Sequence, residues 1–230
     1  DIGAYFEAHI EQGPVLEDTN TTIGVVTGGQ AQRWYEIVLT GQESHAGPTP
    51  MAVRRDALVG AAEIVGAVNR IGHEFQPGAC STVGMMQVSP NSRNVIPGEV
   101  FMTVDFRHPD DDRLKAMNDE LQSASEAVAA RHGLQLKFEQ IWSFAATPFD
   151  PDCIAAVRDG AVQTGATHMD IVSGAGHDAI YMAGVAPSGM IFVPCEGGVS
   201  HNEIENATVG DIAAGCQVLL NAMVSKAGGG

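Results

Sequence analysis

The 230 residues, 44% of them hydrophobic with a mean hydropathy of +0.02, suffice for one large domain or two modest ones around a real core, which excludes a disordered chain. Twelve Lys and Arg against 28 Asp and Glu give a formal net charge of −16, which repels a phosphate backbone and excludes nucleic acid and an anionic membrane as partners. There is no apolar run of about eighteen residues and no basic start before an apolar stretch, so neither a membrane span nor a secretory leader is expected and the chain reads as cytoplasmic. The four cysteines, Cys80, Cys153, Cys195 and Cys216, stand far apart without a Cys-x-x-Cys pair, as free thiols of a reducing compartment do.

Tyr5, Phe6 and Ile10 give a short strand that Gly13-Pro14 breaks, and His9 lies just before the break. A histidine at a strand end suits a metal or a catalytic proton, and equally a buried structural role; on this stretch alone both readings stand. Residues 15–27 read as an Asn- and Thr-rich turn and a strand over 23–26 ending at Gly28-Gly29. Residues 34–39 have β-branched and aromatic strand character, and Ala57, Leu58, Ala61, Ile64, Val65 and Val68 recur at helical spacing within a helix predicted over 54–71. Strands follow over 81–88 and 99–106. A helix over 111–131 is opened by Asp110-Asp111-Asp112 and closed by Gly133, and a strand covers 134–141. The order over 29–144 is β-α-β-β-α-β, the pattern of a ferredoxin-like sandwich with two helices on one face of a four-stranded sheet.

From residue 147 the style changes to a helix over 151–165, a strand over 170–173, a glycine-rich loop over 174–178, a short helix and a strand over 190–193. A last helix starts near Thr208, whose hydroxyl and Asp211 approximate a capping box. This tail and the opening strand are α/β in character but too little for a parallel sheet covered on both faces. The chain begins at Asp1, and we read it as the C-terminal part of a longer protein.

Three of the eight histidines have ligand-like settings: His9, His177 after its glycine-rich turn, and His201 in Gly197-Gly198-Val199-Ser200-His201-Asn202. His73, His108, His132 and His168 fall at predicted element ends or on solvated faces and read as surface residues. His45 stands in Ser44-His45-Ala46-Gly47-Pro48-Thr49-Pro50, a loop too rigid and rich in small residues for packing filler. His9 and His201 alone make half a site, since catalytic zinc takes three protein ligands and a water. The Arg107 fork suits a carboxylate, with Asn94 adding an amide contact, or a salt bridge to Asp105 or Asp110. The Gly174-Ala175-Gly176 turn suits either backbone N–H groups turned to an anion or a tight strand-to-helix turn.

Together, His9-Ile10-Glu11-Gln12-Gly13-Pro14, Ser44-His45-Ala46-Gly47 with Arg54-Arg55-Asp56, Asn94-Val95-Ile96-Pro97, Asp105-Phe106-Arg107, Ser173-Gly174-Ala175-Gly176-His177-Asp178 and Gly198-Val199-Ser200-His201-Asn202 resemble one family, over essentially the whole chain. It is the hydantoinase/carbamoylase family of amidohydrolases, which includes N-carbamoyl-L-amino-acid hydrolases, bacterial-type β-ureidopropionases and allantoate amidohydrolases and is built like the di-metal aminoacylase peptidases. The resemblance implies an α/β metallopeptidase-like catalytic domain in two parts, residues 1–28 and 146–230, interrupted by a ferredoxin-like lid and dimerisation domain over 29–145. It implies that His9 and His201 are ligands to different metal ions. Gln12, Asn94, Arg107, Gly174, Ala175 and Gly176 match positions that hold the substrate, with Arg107 and Asn94 on its carboxylate. His45 matches the lid histidine that polarises the scissile carbonyl in the neighbouring subunit, and His177 and Asp178 take a supporting role.

The family's remaining ligands and its general-base glutamate lie upstream of the strand carrying His9. The intact enzyme is therefore expected to hold two divalent ions, Zn, Mn, Ni or Co, and this chain none or part of that complement. The expected reaction is hydrolysis of the linear C–N bond of an N-carbamoyl-L-amino acid, a small ureido acid, by a homodimer joined through the lid. Two alternatives stand: allantoate amidohydrolase, and for this chain alone a dimerisation module without chemistry.

Overall fold

Alternation along the first strand sets the site's geometry. In the computed structural model, which describes residues 2–228, β1 (Tyr5–Ile10) sends Phe6 and Ile10 to one face of its sheet and Tyr5, Glu7 and His9 to the other. The following elements are α1 (Val15–Asp18), β2 (Ile23–Gly29), β3 (Ala31–Thr40), β4 (Ser44–His45), α2 (Ala57–Glu74), β5 (Cys80–Ser89), β6 (Val95–Ile96), β7 (Glu99–His108) and α3 (Asp111–His132). Then come β8 (Gln135–Phe144), β9 (Thr147–Pro148), α4 (Pro151–Thr164), β10 (His168–Ser173), α5 (Asp178–Met182), β11 (Ser188–Val193) and α6 (Val209–Gly228). The chain divides into two units, residues 1–30 with 147–230, and residues 31–146.

In the first unit the strand order is β1-β11-β2-β10, with β9 on β2. The sheet is mixed: β1 runs parallel to β11 and β10 parallel to β2, whereas β11 and β2 are antiparallel. Helices α4 and α6 cover one face, where Val157, Ala161, Val218 and Ala222 pack on Ile23, Val25, Ile191 and Val193. Helix α5 lies against β1 and β11 on the other face. The one-turn α1 replaces part of the turn expected over 15–27. Its cause is Glu11, whose carboxylate accepts the N–H groups of Val15 at 2.9 Å and Leu16 at 2.7 Å.

In the second unit, strands in the order β5-β7-β3-β8 form an antiparallel sheet, and β4 pairs with β6 beside it. One face carries Tyr35, Ile37, Leu39, Val100, Met102, Val104 and Phe106, packed on Ile64 and Ile71 of α2 and Leu114 and Leu121 of α3. Burying one such side chain contributes about 1.5–3 kcal/mol. Each helix starts at an aspartate: Asp56 accepts from Leu58 and Val59 N–H, and Asp110 from Asp112 and Arg113 N–H. Helix α2 accordingly starts at Ala57 rather than 54, because residues 51–53 form a separate tight turn and Arg54 is extended at φ −71°, ψ 138°. Gly133 closes α3 at φ +62°, a left-handed C-cap that glycine adopts without a Cβ penalty.

His108 is a correction. It is buried, not a surface residue, because β7 runs two residues beyond the predicted 106 and alternation carries His108 inward with Phe106. Its Nδ1 accepts the Asp110 N–H at 2.9 Å. Among the described residues, no helix is long and apolar enough to cross a membrane.

Candidate active site

His9 sits one residue from the end of β1, beside Phe192 of β11 in the parallel register. Its Nδ1 lies 2.8 Å from the Ile10 carbonyl oxygen. A carbonyl only accepts, so Nδ1 carries a proton, and in the neutral ring Nε2 keeps its lone pair. That is the arrangement of a metal-binding imidazole, whose second nitrogen donates to a backbone carbonyl.

Two residues beyond the strand, Gln12 takes a left-handed φ of +60°, and its amide reaches Ser200, the residue before the other candidate histidine. Gln12 Nε2 donates to Ser200 Oγ at 3.0 Å, and Ser200 Oγ donates to Glu205 Oε2 at 2.6 Å. The same oxygen accepts the His201 N–H at 3.1 Å, with His201 at a left-handed φ of +54°. The Ser200 hydroxyl, then the His201 N–H and the charges of His201 and His9, hold the Glu205 carboxyl below the usual carboxylate range. The loop after β1 and the 199–205 segment are thus tied together around one carboxylate, although 188 residues separate Gln12 from Ser200.

His177 is the N-cap residue of α5 and is buried, its side chain 2% exposed. Its ring meets His9 edge to face, with centroids 4.7 Å apart at 63°, and meets Phe192 at 5.4 Å and 63°. Nδ1 stands 3.9 Å from Glu7 Oε1, and Nε2 is buried without a hydrogen-bond partner. Burial, with the His9 charge second, pushes the His177 pKa down to about 4, so the ring is neutral at pH ~7. Asp178 opens α5 in its first turn, where a carboxylate complements the helix dipole. Before them, Gly174 and Gly176 have open space where a Cβ would stand, while Ser173 Oγ accepts the Ala175 N–H at 3.1 Å.

The remaining candidates lie in the second unit. His45 is exposed in β4 opposite Val95, its Nδ1 accepting the Gly47 N–H at 3.0 Å. Asn94 adjoins this ladder through its carbonyl, which accepts the Ala46 N–H at 2.9 Å. Arg54 staples the loop by donating to Ala46 O at 2.6 Å and Thr49 O at 3.1 Å, which accounts for its place in the motif. Arg107 forks onto Asp105, two residues back on the same face of β7, with Nη2 2.6 Å from Oδ2. The salt-bridge reading of Arg107 is therefore realised. Sequence reasoning missed two His-x-Asp triplets, a common metal-ligand spacing, at 108–110 and 168–170; both are otherwise engaged, His108 in its turn and Asp170 with Arg158 at 2.8 Å. Among the described residues no three His, Cys, Asp or Glu side chains gather as a ready metal site. Glu7 and Glu205 were missed in the sequence; the signal for Glu7 was the alternating Tyr5, Glu7, His9 stripe.

The chain is thus α/β, with His9 at a strand end, His177 at a helix N-cap and His201 in a turn. The chain belongs to peptidase family M20/M25/M40, whose family model matches residues 1–225. A crystal structure of an amidase of the hydantoinase/carbamoylase family from Burkholderia multivorans is similar, with a TM-score of 0.94 and 60% identity over 98% of this chain and 55% of that one. An N-carbamoyl-L-amino-acid amidohydrolase of Rhizobium meliloti is 46% identical over 97% of this chain and 54% of its own length. An allantoate amidohydrolase of Bacillus subtilis is 32% identical over 99% of this chain and 55% of its own. The chain spans about half the length of the curated relatives it matches.

Proposed function

We propose that the protein carrying this chain is a metal-dependent amidohydrolase that cleaves the linear C–N bond of N-carbamoyl-L-amino acids. One water enters, and the amino acid, carbon dioxide and ammonia leave. The observation that carries the reading is His9: its Nδ1 proton is committed to Ile10 O, its Nε2 is left for a ligand bond, and Gln12 links its loop to the His201 turn. Imidazole nitrogen suits a divalent ion, so His9 would hold one ion and His201 the other, each with further ligands beyond these two. When bound, such ions lower the pKa of a water and act as Lewis acids toward the carbonyl oxygen.

This chain's own residues bind and orient. The motifs assign Gln12, Asn94, Arg107 and the 174–176 turn to the substrate, with Arg107 and Asn94 on its carboxylate in exchange for the Asp105 fork, and His45 to the scissile carbonyl in a second copy of the chain. Residues 29–145 act as lid and dimerisation domain. Allantoate is the second reading, supported by the Bacillus subtilis relative at 32% identity against 46% for the Rhizobium meliloti enzyme.

The test joins the N-terminal part of the Burkholderia multivorans amidase to this chain and measures ammonia release from N-carbamoyl-L-amino acids and allantoate with Zn, Mn, Ni or Co. Turnover of the carbamoyl acids, lost in His9→Ala and His201→Ala, is expected. Turnover of allantoate alone moves the assignment to the second reading, and a metal-loaded fusion inert toward both overturns it. The unfused chain is expected to release no ammonia.

A further inference from the structure

We propose that His177 is the positioning residue for His9, held in place by Glu7; this rests on the reading of His9 as a metal ligand. The strand stripe Tyr5, Glu7, His9 faces α5, and the His177 ring lies over both His9 and its register neighbour Phe192, at 4.7 and 5.4 Å between centroids. Glu7 fixes the start of α5: its Oε2 accepts the Ala179 N–H at 2.7 Å, and its Oε1 lies 3.9 Å from His177 Nδ1. The carboxylate thereby sets the helix start, the helix start sets the His177 ring, and the ring walls off one side of His9. The Ile10 carbonyl holds His9 Nδ1 from another direction, so the imidazole keeps one orientation and one tautomer with Nε2 free. An edge-to-face aromatic contact of this kind has a preferred geometry and is not only filler.

The contact is made by the flat ring, so phenylalanine should replace His177 in it. His177 Nε2 is buried without a partner, and Phe at this position removes that unpaired group, so His177→Phe is expected to fold at least as well.

The experiment is a long-range proton–nitrogen correlation spectrum of the 230-residue chain with 15N-labelled histidine, at about pH 8, where free imidazole is neutral. The chain as it stands should give His9 the pattern of a single Nδ1–H tautomer. His177→Phe should keep that pattern, and His177→Ala and Glu7→Ala should lose it to tautomer averaging. An unchanged His9 pattern in His177→Ala, or a loss in His177→Phe equal to that in His177→Ala, would overturn the proposal. Zinc chloride titrated into the fusion with the Burkholderia multivorans N-terminal part, labelled in the same way, separates the two readings. If His9 depends on His177 in the chain but its resonances in the fusion ignore zinc, positioning stands and the ligand role of His9 falls.

Discussion

At the scale of single residues, the site depends on groups that hold histidines more than on the histidines themselves. Glu205 accepts both the Ser200 hydroxyl and the His201 N–H, so Glu205→Ala should free the 199–202 turn and speed amide exchange at His201. Glu205→Gln retains an acceptor oxygen and should preserve protection; equal exchange in both variants would remove Glu205 from this role. Thiol chemistry gives an independent check of burial. Burial and the neighbouring Asp150 push the Cys153 thiol up to about 11, and burial pushes Cys195 up as well, whereas Cys80 and Cys216 are exposed. Titration with an aromatic disulfide at about pH 8 should find two fast thiols in the folded chain and four in denaturant. Four fast thiols without denaturant would contradict the packing around α4. His9, His201 and Gln12 were singled out by their motifs, and the structure ties the Gln12 loop to the His201 turn. For Glu7 the alternating stripe gave only the face, since its partner at Ala179 lies 172 residues away. Of the two readings of Arg107, only the structure could show the fork onto Asp105, since an i to i+2 pair on one strand face is geometrically available whether or not it forms.

At the scale of elements, helix starts are set by single carboxylates. Asp150 accepts the Cys153 N–H at 2.9 Å at the start of α4, and this bond holds its carboxyl below the usual range. Asp150→Ala should cost about 1 kcal/mol in urea melts near neutral pH. The folded carboxyl titrates below its unfolded value of about 3.9, so its contribution is complete above that pH and is lost as pH falls through the lower folded value. Asp150→Asn keeps an acceptor and should remove that acid dependence; an identical acid limb in Asp150→Asn and the parent would reject it. Leu121, fully buried where α3 meets the second unit's sheet, should cost about 2–5 kcal/mol when cut to Ala. Helix positions were legible from apolar spacing, and α3 falls within one residue of its predicted bounds. The start of α2 and the presence of α1 were not, because a local carboxylate and a tight turn decide them rather than periodicity. The same limit explains His108: whether a strand stops at 106 or 108 decides whether that side chain turns to solvent or to the core.

At the scale of the whole molecule, the β-α-β-β-α-β order and the α/β character of the flanking segments were legible in the sequence, and the sheets realise both. Strand order was not legible. Placing β11 between β1 and β2 makes Phe192 the neighbour of His9, a long-range pairing that no local pattern encodes. The account's central claim is that His9 and His201 serve different ions of one amidohydrolase centre. The most direct measurement is calorimetric titration of zinc into the fusion with the Burkholderia multivorans N-terminal part. Two equivalents should bind the parent fusion, and one should remain in each of His9→Ala and His201→Ala; two tight equivalents retained in both variants would contradict the claim.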